Sequence, residues 1–252
     1  MAVDVKIEDG VAQMALNNPP LNILTREMMA ELRRELAALQ STDTLRALVL
    51  RAEGKHFSAG ADVSEHLPPD YEAMIPEFID TIVALDRFPL PIVAAVRGRC
   101  LGGGFELVQP VDFIVAGAGA SFGQPEIALG VIPPAACALL PRLCSPAVAA
   151  EIALTGDAID SRRAAGIGLV WKVVEDDMVE EEALNLASRM ARHSGAVLRL
   201  AKKTLRQTDA ENRAEALAAA GQLYVGELMK TADAMEGLTA FLDKRTAEWK
   251  HR

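Results

Sequence analysis

Residues 91–108 read PIVAAVRGRCLGGGFELV, a strand, a glycine loop and a helix start in eighteen residues. Pro91-Ile-Val-Ala-Ala-Val96 is a short, nearly continuous apolar run, the pattern of a strand buried on both faces. It leads into a glycine-bearing loop and then a helix start. The same order occurs upstream, where strand 45–52 runs into Gly54-Lys-His-Phe-Ser-Ala-Gly-Ala-Asp-Val63, a weak internal repeat. Leu45-Arg-Ala-Leu-Val-Leu50, Val111-Asp-Phe-Ile-Val-Ala116 and Leu169-Val-Trp-Lys-Val-Val174 read as further buried strands. Helical patterns at 70–87 and 146–155 separate them. Strands alternating with helices predict an α/β fold.

Toward the N-terminus, Val3, Val5 and Ile7 alternate before Asp9-Gly10, and a second apolar run follows, which predicts a hairpin. Thr25 is placed to cap a helix carrying Met28, Met29, Leu32, Leu36 and Leu39 on one stripe. From about residue 178 the chain becomes helix after helix, at about 179–192, 195–207, 211–229 and 232–243. The reading divides the chain into a core, 1–194, and a C-terminal helical region, 195–252. Segment 214–229 is apolar on nearly every side, and little of the chain remains to cover it. Another subunit is its expected cover, so a homo-oligomer is predicted.

A chain of 252 residues is one large domain, or one with a small appendage. Its 50% apolar and 24% charged residues are a soluble globular mixture. A net charge of −9 argues against a general nucleic-acid binder, so an anionic ligand needs local positive charge or helix ends. Cys100, Cys137 and Cys144 form no C-x-x-C pair and read as buried thiols in a reducing compartment. No metal-ligand spacing of histidines occurs, and no metal or redox cofactor is expected. The uncharged run Ile127–Pro141 is too short for a membrane span and holds three prolines. The N-terminus has no signal-peptide pattern, so the cytoplasm is the expected location.

Glycine lets backbone approach a ligand closely, and the first N–H groups of a helix lack intrahelical partners. Two such loops side by side can aim two donors at one oxygen, the arrangement of an oxyanion hole. The plainer alternative is that the glycines only turn tight corners. Glu106 is flanked by Phe105, Leu107 and Val108, and Glu126 lies in the region of lowest charge. Desolvation lets such carboxyls hold a proton near neutral pH, and two of them can share the protons of one water. The plainer alternative is a partly exposed Glu106 and a Glu126 that favours the helix start after Pro125.

Phe57-Ser-Ala-Gly-Ala-Asp62, Arg99-Cys-Leu-Gly-Gly-Gly-Phe-Glu106 and Phe122-Gly-Gln-Pro-Glu-Ile127 with Leu129-Gly130 resemble, in order and spacing, the motifs of the crotonase (enoyl-CoA hydratase/isomerase) superfamily. Glu236-Gly-Leu-Thr-Ala-Phe-Leu-Asp-Lys-Arg245 is similar to that family's ending, so the resemblance spans nearly the whole chain. It implies a crotonase-like spiral of ββα units followed by helices that build trimers, often paired into hexamers. It implies an acyl-CoA partner whose thioester carbonyl sits between the backbone N–H groups of Ala61 and Gly103. Glu106 and Glu126 match the catalytic carboxylates of the hydratases. Coenzyme A, arriving as part of the substrate, would lie along Lys55, Ala59, Ala61, Asp62 and Val63. Phe241 and Lys244 would come from a neighbouring subunit. Ser64 stands where many relatives carry a lysine.

Possession of both glutamates implies a hydro-lyase and weighs against an isomerase or ring hydrolase on the same scaffold, with an enoyl-CoA isomerase kept as an alternative and a non-catalytic binding member behind it. Within the family, Val131-Ile-Pro-Pro-Ala-Ala-Cys-Ala-Leu-Leu-Pro141 replaces a glycine-rich stretch, which stiffens the wall beside the acyl group or is a neutral helix-start variation. With Glu65-His-Leu-Pro68 and Leu223-Tyr-Val-Gly-Glu-Leu-Met229, it is similar to cyclohexa-1,5-diene-1-carbonyl-CoA hydratases, whose product is the 6-hydroxycyclohex-1-ene-1-carbonyl thioester. The Phe57–Asp62 form is closer to general short-chain enoyl-CoA hydratases of fatty-acid oxidation, and that alternative stays open. His66 reads as a loop histidine at a helix end, Asp62 as a residue that positions its loop, and Cys137 as a packed core thiol.

Overall fold

The fold was described from a computed structural model, which covers residues 2–207 and 210–249. Strands β1 (Val3–Glu8) and β2 (Val11–Leu16) form the expected antiparallel hairpin. Asp9 and Gly10 turn it with positive φ of 49° and 77°. The Thr25 hydroxyl accepts from Met28 N–H (3.2 Å) at the start of α1 (Arg26–Gln40), whose five predicted apolar residues are all buried. Next come β3 (Ala47–Ala52), α2 (Tyr71–Asp86), β4 (Ile92–Val96), β5 (Arg99–Leu101) and the short α3 (Gly103–Val108). Strands β6 (Phe113–Gly117) and β7 (Ser121–Gly123) precede α4 (Pro134–Leu143) and α5 (Pro146–Thr155). After β8 (Ile159–Asp160), α6 (Ser161–Gly166) and β9 (Lys172–Val174), the chain is helical: α7 (Val179–Ala191), α8 (Gly195–Gln207), α9 (Ala210–Gly226) and α10 (Ala232–Leu242).

The larger sheet has the order β1-β2-β3-β4-β6-β9, parallel throughout except for the first hairpin. Its period-two alternation sorts side chains onto two cores. Met14, Leu48, Leu50, Ile92 and Ala94 face the main core, while Val49, Val93, Ala95 and Val115 face Val179, Ala183 and Leu186 of α7. The smaller sheet, β5-β7-β8, stands beside it and buries Cys100, Phe122 and Ile159.

Three expectations need correction. The run 169–174 is not a strand buried on both faces: only Lys172–Val174 pairs, at the sheet edge, with Lys172 and Trp171 exposed. A run of apolar letters does not reveal that a strand has a neighbour on one side only. Helix α9 also has a cover within its own chain. It packs on α2 and α4, burying Leu217 and Tyr224, while Ala218 and Ala219 face outward. Small alanines made every side look apolar. Of the three cysteines only Cys100 is buried; Cys144 is half-buried and Cys137 exposed. Among the described residues no helix is long and apolar enough to cross a membrane.

Candidate active site

The two glycine loops are stitched together by backbone. Ser58 N–H donates to Arg99 O (3.1 Å), and Leu101 N–H donates to Ser58 O (3.0 Å). On the other side Leu24 N–H donates to Gly60 O (2.9 Å), and Asp62 N–H donates to Leu24 O (3.0 Å). Residue 61 is thereby held against the start of α3, where a Cβ added to Gly103 would lie 3.3 Å from Ala61 N. Among the described residues neither Ala61 N–H nor Gly103 N–H donates to a protein acceptor. Both line a cavity of about 220 Å³.

Glu106 projects from α3 into the same cavity and is buried. Its Oε1 accepts from Ala135 N–H (2.7 Å) and Ala136 N–H (2.9 Å), the first free donors of α4 behind Pro134. The Pro-Pro-Ala-Ala stretch is thus a helix start and a carboxylate cradle at once. Burial pushes Glu106 up to about 7, against the opposing pull of those two N–H groups. Glu126 sits in the 3-10 turn Pro125–Leu129. Burial, and then the charge of Glu106, holds its carboxyl well above the usual range. Like charges so placed cannot both ionise easily, and the pair titrates as a unit. With its amide nitrogen toward Glu126, Gln124 donates to Oε1 (3.2 Å) and Oε2 (3.1 Å), and its oxygen accepts from Gln109 Nε2 (3.0 Å).

The remaining walls are apolar, with Met74, Ile75 and Phe78 from α2 facing Leu238 and Phe241 from α10. Among the described residues no lysine or arginine lines the cavity. His66 does line it, besides ending a 3-10 turn as the sequence suggests. Its Nδ1 lies 2.9 Å from Asp62 O, which can only accept, so Nδ1 carries the hydrogen and Nε2 is an acceptor. Burial lowers its pKa and keeps it neutral.

The other predicted binding residues divide. Ala59 and Val63 line the cavity, and Phe241 of the same chain does so too, where a neighbouring subunit's was expected. Asp62 faces its loop, its Oδ1 accepting from Ser64 N–H (2.9 Å) and Ser64 O–H (2.7 Å), as a loop-positioning residue does. Lys55 and Lys244 are exposed and stand outside the cavity lining. Sequence reasoning missed Gln109, Gln124 and Tyr224. A buried amide inside an apolar segment was the available signal for the two glutamines.

The sequence profile described as enoyl-CoA hydratase/isomerase matches residues 6–252. The chain belongs to that family. It is 38% identical to cyclohexa-1,5-dienecarbonyl-CoA hydratase of Thauera aromatica, over 97% of this chain and 95% of that one. It is 37% identical to 2,3-dehydroadipyl-CoA hydratase of Escherichia coli (strain K12), over 98% of each. Among solved structures, an enoyl-CoA hydratase/isomerase from Pseudoalteromonas atlantica T6c superposes with a TM-score of 0.91 at 31% identity, over 99% of this chain and 100% of that one. The crotonase-like fold expected from the motifs is therefore the fold of the chain, and the protein is an enzyme of the enoyl-CoA hydratase type, acting on acyl-CoA.

Proposed function

We propose that the enzyme adds water to the conjugated system of an acyl-CoA whose acyl group is uncharged, with a cyclic dienoyl group as the leading substrate. The reading rests on one observation: two uncommitted donors, Ala61 and Gly103, share a cavity with two enclosed carboxyls, Glu106 and Glu126. The two N–H groups would donate to the thioester oxygen and draw electrons from the alkene, leaving the β-carbon electrophilic. In the proposed reactive state the two carboxyls share one proton. The ionised member takes a proton from water as the water oxygen bonds to the β-carbon. The protonated member gives its proton to the far end of the ring dienolate, C5, which leaves the C1 double bond of the 6-hydroxycyclohex-1-ene product; with a linear enoyl group it gives the proton to the α-carbon of the enolate. The pair ends with one proton, as it began. Coenzyme A would run from Ala59 and Val63 past Asp62 toward Lys55, with Phe241 and Lys244 at the other side of the mouth. No separate cofactor is invoked.

The uncharged acyl group follows from the walls. A terminal carboxylate would be desolvated beside Glu106 and Glu126, facing a neutral His66 and no lysine or arginine. That favours the ring for which the Thauera aromatica relative is named over the diacid of the Escherichia coli relative. A short linear enoyl group, as in a general hydratase, meets the same walls and is the second reading.

Cyclohexa-1,5-diene-1-carbonyl-CoA, crotonyl-CoA and 2,3-dehydroadipyl-CoA should be compared by loss of the conjugated chromophore. Preference for the ring, abolished by Glu106→Gln or Glu126→Gln, is the expected result. Preference for crotonyl-CoA would establish the second reading, and fast turnover of the diacid would sink the argument from the walls. We further propose a trimer or hexamer with residues 195–252 at its interfaces. Val197, Leu200 and Leu205 of α8 are 61%, 63% and 82% exposed. Light scattering after gel filtration should return three or six chain masses. A cytoplasmic location belongs to the same reading and is tested by cell fractionation.

A further inference from the structure

Behind α3, on the side away from the two glycine loops, lies a second cavity of about 100 Å³, lined in part by Gln109, Asp112 and Phe113. Gln109 is 4% exposed and Gln124 is fully buried, so neither amide is there for solubility. With the Gln124 amide assigned so that its nitrogen faces Glu126, the orientation that satisfies both of its ends, Gln109 Nε2 donates to Gln124 Oε1 and Gln124 Nε2 donates to both oxygens of Glu126. Gln109 Oε1 has no partner among the described residues. Two amides thus connect the rear cavity to the carboxyl at the front.

We propose that Gln109 is a positioning residue that sets the ionisation of Glu126 through Gln124, anchored by water in the rear cavity. A primary amide can turn end over end at little steric cost. Only one of its two orientations suits a carboxylate, the one with nitrogen facing it. Gln109 selects that orientation by giving the Gln124 oxygen a donor. Water suits the rear site because the cavity is polar at Asp112 and Gln109 and large enough for it. Remove the Gln109 donor, and Gln124 is free to present its oxygen, which accepts only from a protonated Glu126. The protonated form then gains.

The charged and titratable groups around this chain are few. Glu106 of α3, Cys137 of α4 and Tyr224 of α9 feel or exert the field at Glu126, and His66 lines the same cavity. At the rear, Asp112 is already paired to Lys202 (2.6 Å) and Arg206 (2.8 Å). Gln109 is therefore the group whose change alters the amide chain while leaving these charges in place.

The inference rests on the hydratase reading for its kinetic consequence, but not for its titration. Gln109→Met keeps the side-chain length and removes the hydrogen bonds; Gln109→Leu replaces it if thermal melting shows that Gln109→Met does not fold. Infrared difference spectra of the unliganded protein would follow the protonated carboxyl band against pH, with Glu126→Gln identifying the band. The variant midpoint is expected to rise by about one pH unit. With the preferred thioester, kcat should fall about five- to tenfold with KM within twofold, and the acid limb should move up in parallel. A folded variant with the wild-type midpoint overturns the proposal, whatever its kcat. A raised midpoint in a protein that hydrates none of the three thioesters upholds it and overturns the hydratase reading instead.

Discussion

Gly102 has φ of 53°, and a Cβ added there would stand 2.7 Å from Glu126 Oε1. Gly102→Ala is therefore expected to strain the turn and push the carboxyl aside together. A misplacement costing 1.4 kcal/mol lowers the rate about tenfold, and kcat of the folded variant should fall by at least that much. Glu106→Gln should lower kcat by roughly 10²–10⁴-fold, the usual range for a lost acid–base group. It should also stabilise the protein. Glu106 rises from 4.5 to about 7 on folding, so the native state binds the extra proton between those values. Wild-type stability then falls as pH rises through that window. The Tm advantage of Glu106→Gln should be largest above pH 7 and vanish below about pH 4.5, as differential scanning calorimetry at several pH values would detect. Among single residues, the glutamate pair and the Asp62 turn are legible in the sequence because carboxylates in apolar surroundings need a reason. Gln109 gave only the faint signal of an amide in an apolar segment and Tyr224 none, since an amide at a helix end or a phenol in a helix looks the same whether it ends exposed or buried. His66 was half legible: its place at a turn end was foreseen, and its contact with the cavity depends on where α9 and α10 fold back.

At the scale of elements, α4 and α10 shape the site more than the sheet does. Helix α4 supplies the two N–H groups on Glu106, and α10 closes the opposite wall with Leu238 and Phe241. Gly237 lets α10 lie directly on the 125–129 turn, because a Cβ there would run into the Leu129 carbonyl. Gly237→Ala is expected to displace α10, lowering Tm by a few degrees through overpacking of roughly 1–3 kcal/mol. KM for acyl-CoA should rise more than kcat falls, since the helix holds substrate and carries no reacting group. Steady-state kinetics on the folded variant would read the split. Helix and strand positions were largely legible because periods of 3.6 and 2 are local properties of the chain. The short β9 and the covering of α9 were not, because edge position and long-range packing are not local.

Over the whole molecule, α8 is tied to the body by charge. Lys202 Nζ donates to Leu90 O (2.8 Å) and Asp112 Oδ2 (2.6 Å), and Arg206 donates to Asp112 Oδ1 (2.8 Å), Asp86 and Pro110 O (2.6 Å). Breaking a buried pair by removing one partner costs about 3–5 kcal/mol. Arg206 remains beside Asp112, so Lys202→Met should cost less than that in urea unfolding, and oligomer dissociation should shift to lower urea if α8 forms the interface. The overall fold was legible because four motifs in order constrain it jointly, whereas the assembly depends on a surface whose partner no pattern names.

The enclosure of the two carboxyls has a last consequence, for isotopes. Bulk water reaches Glu106 and Glu126 through the cavity mouth, and on the proposed chemistry a bound thioester stands in that mouth. A hydrogen removed during the reverse reaction, from the carbon that is protonated on hydration, would stay with the pair until the mouth clears. Deuterium placed at that carbon should then return to it many times before it washes out, and exchange with solvent should lag behind chemical turnover.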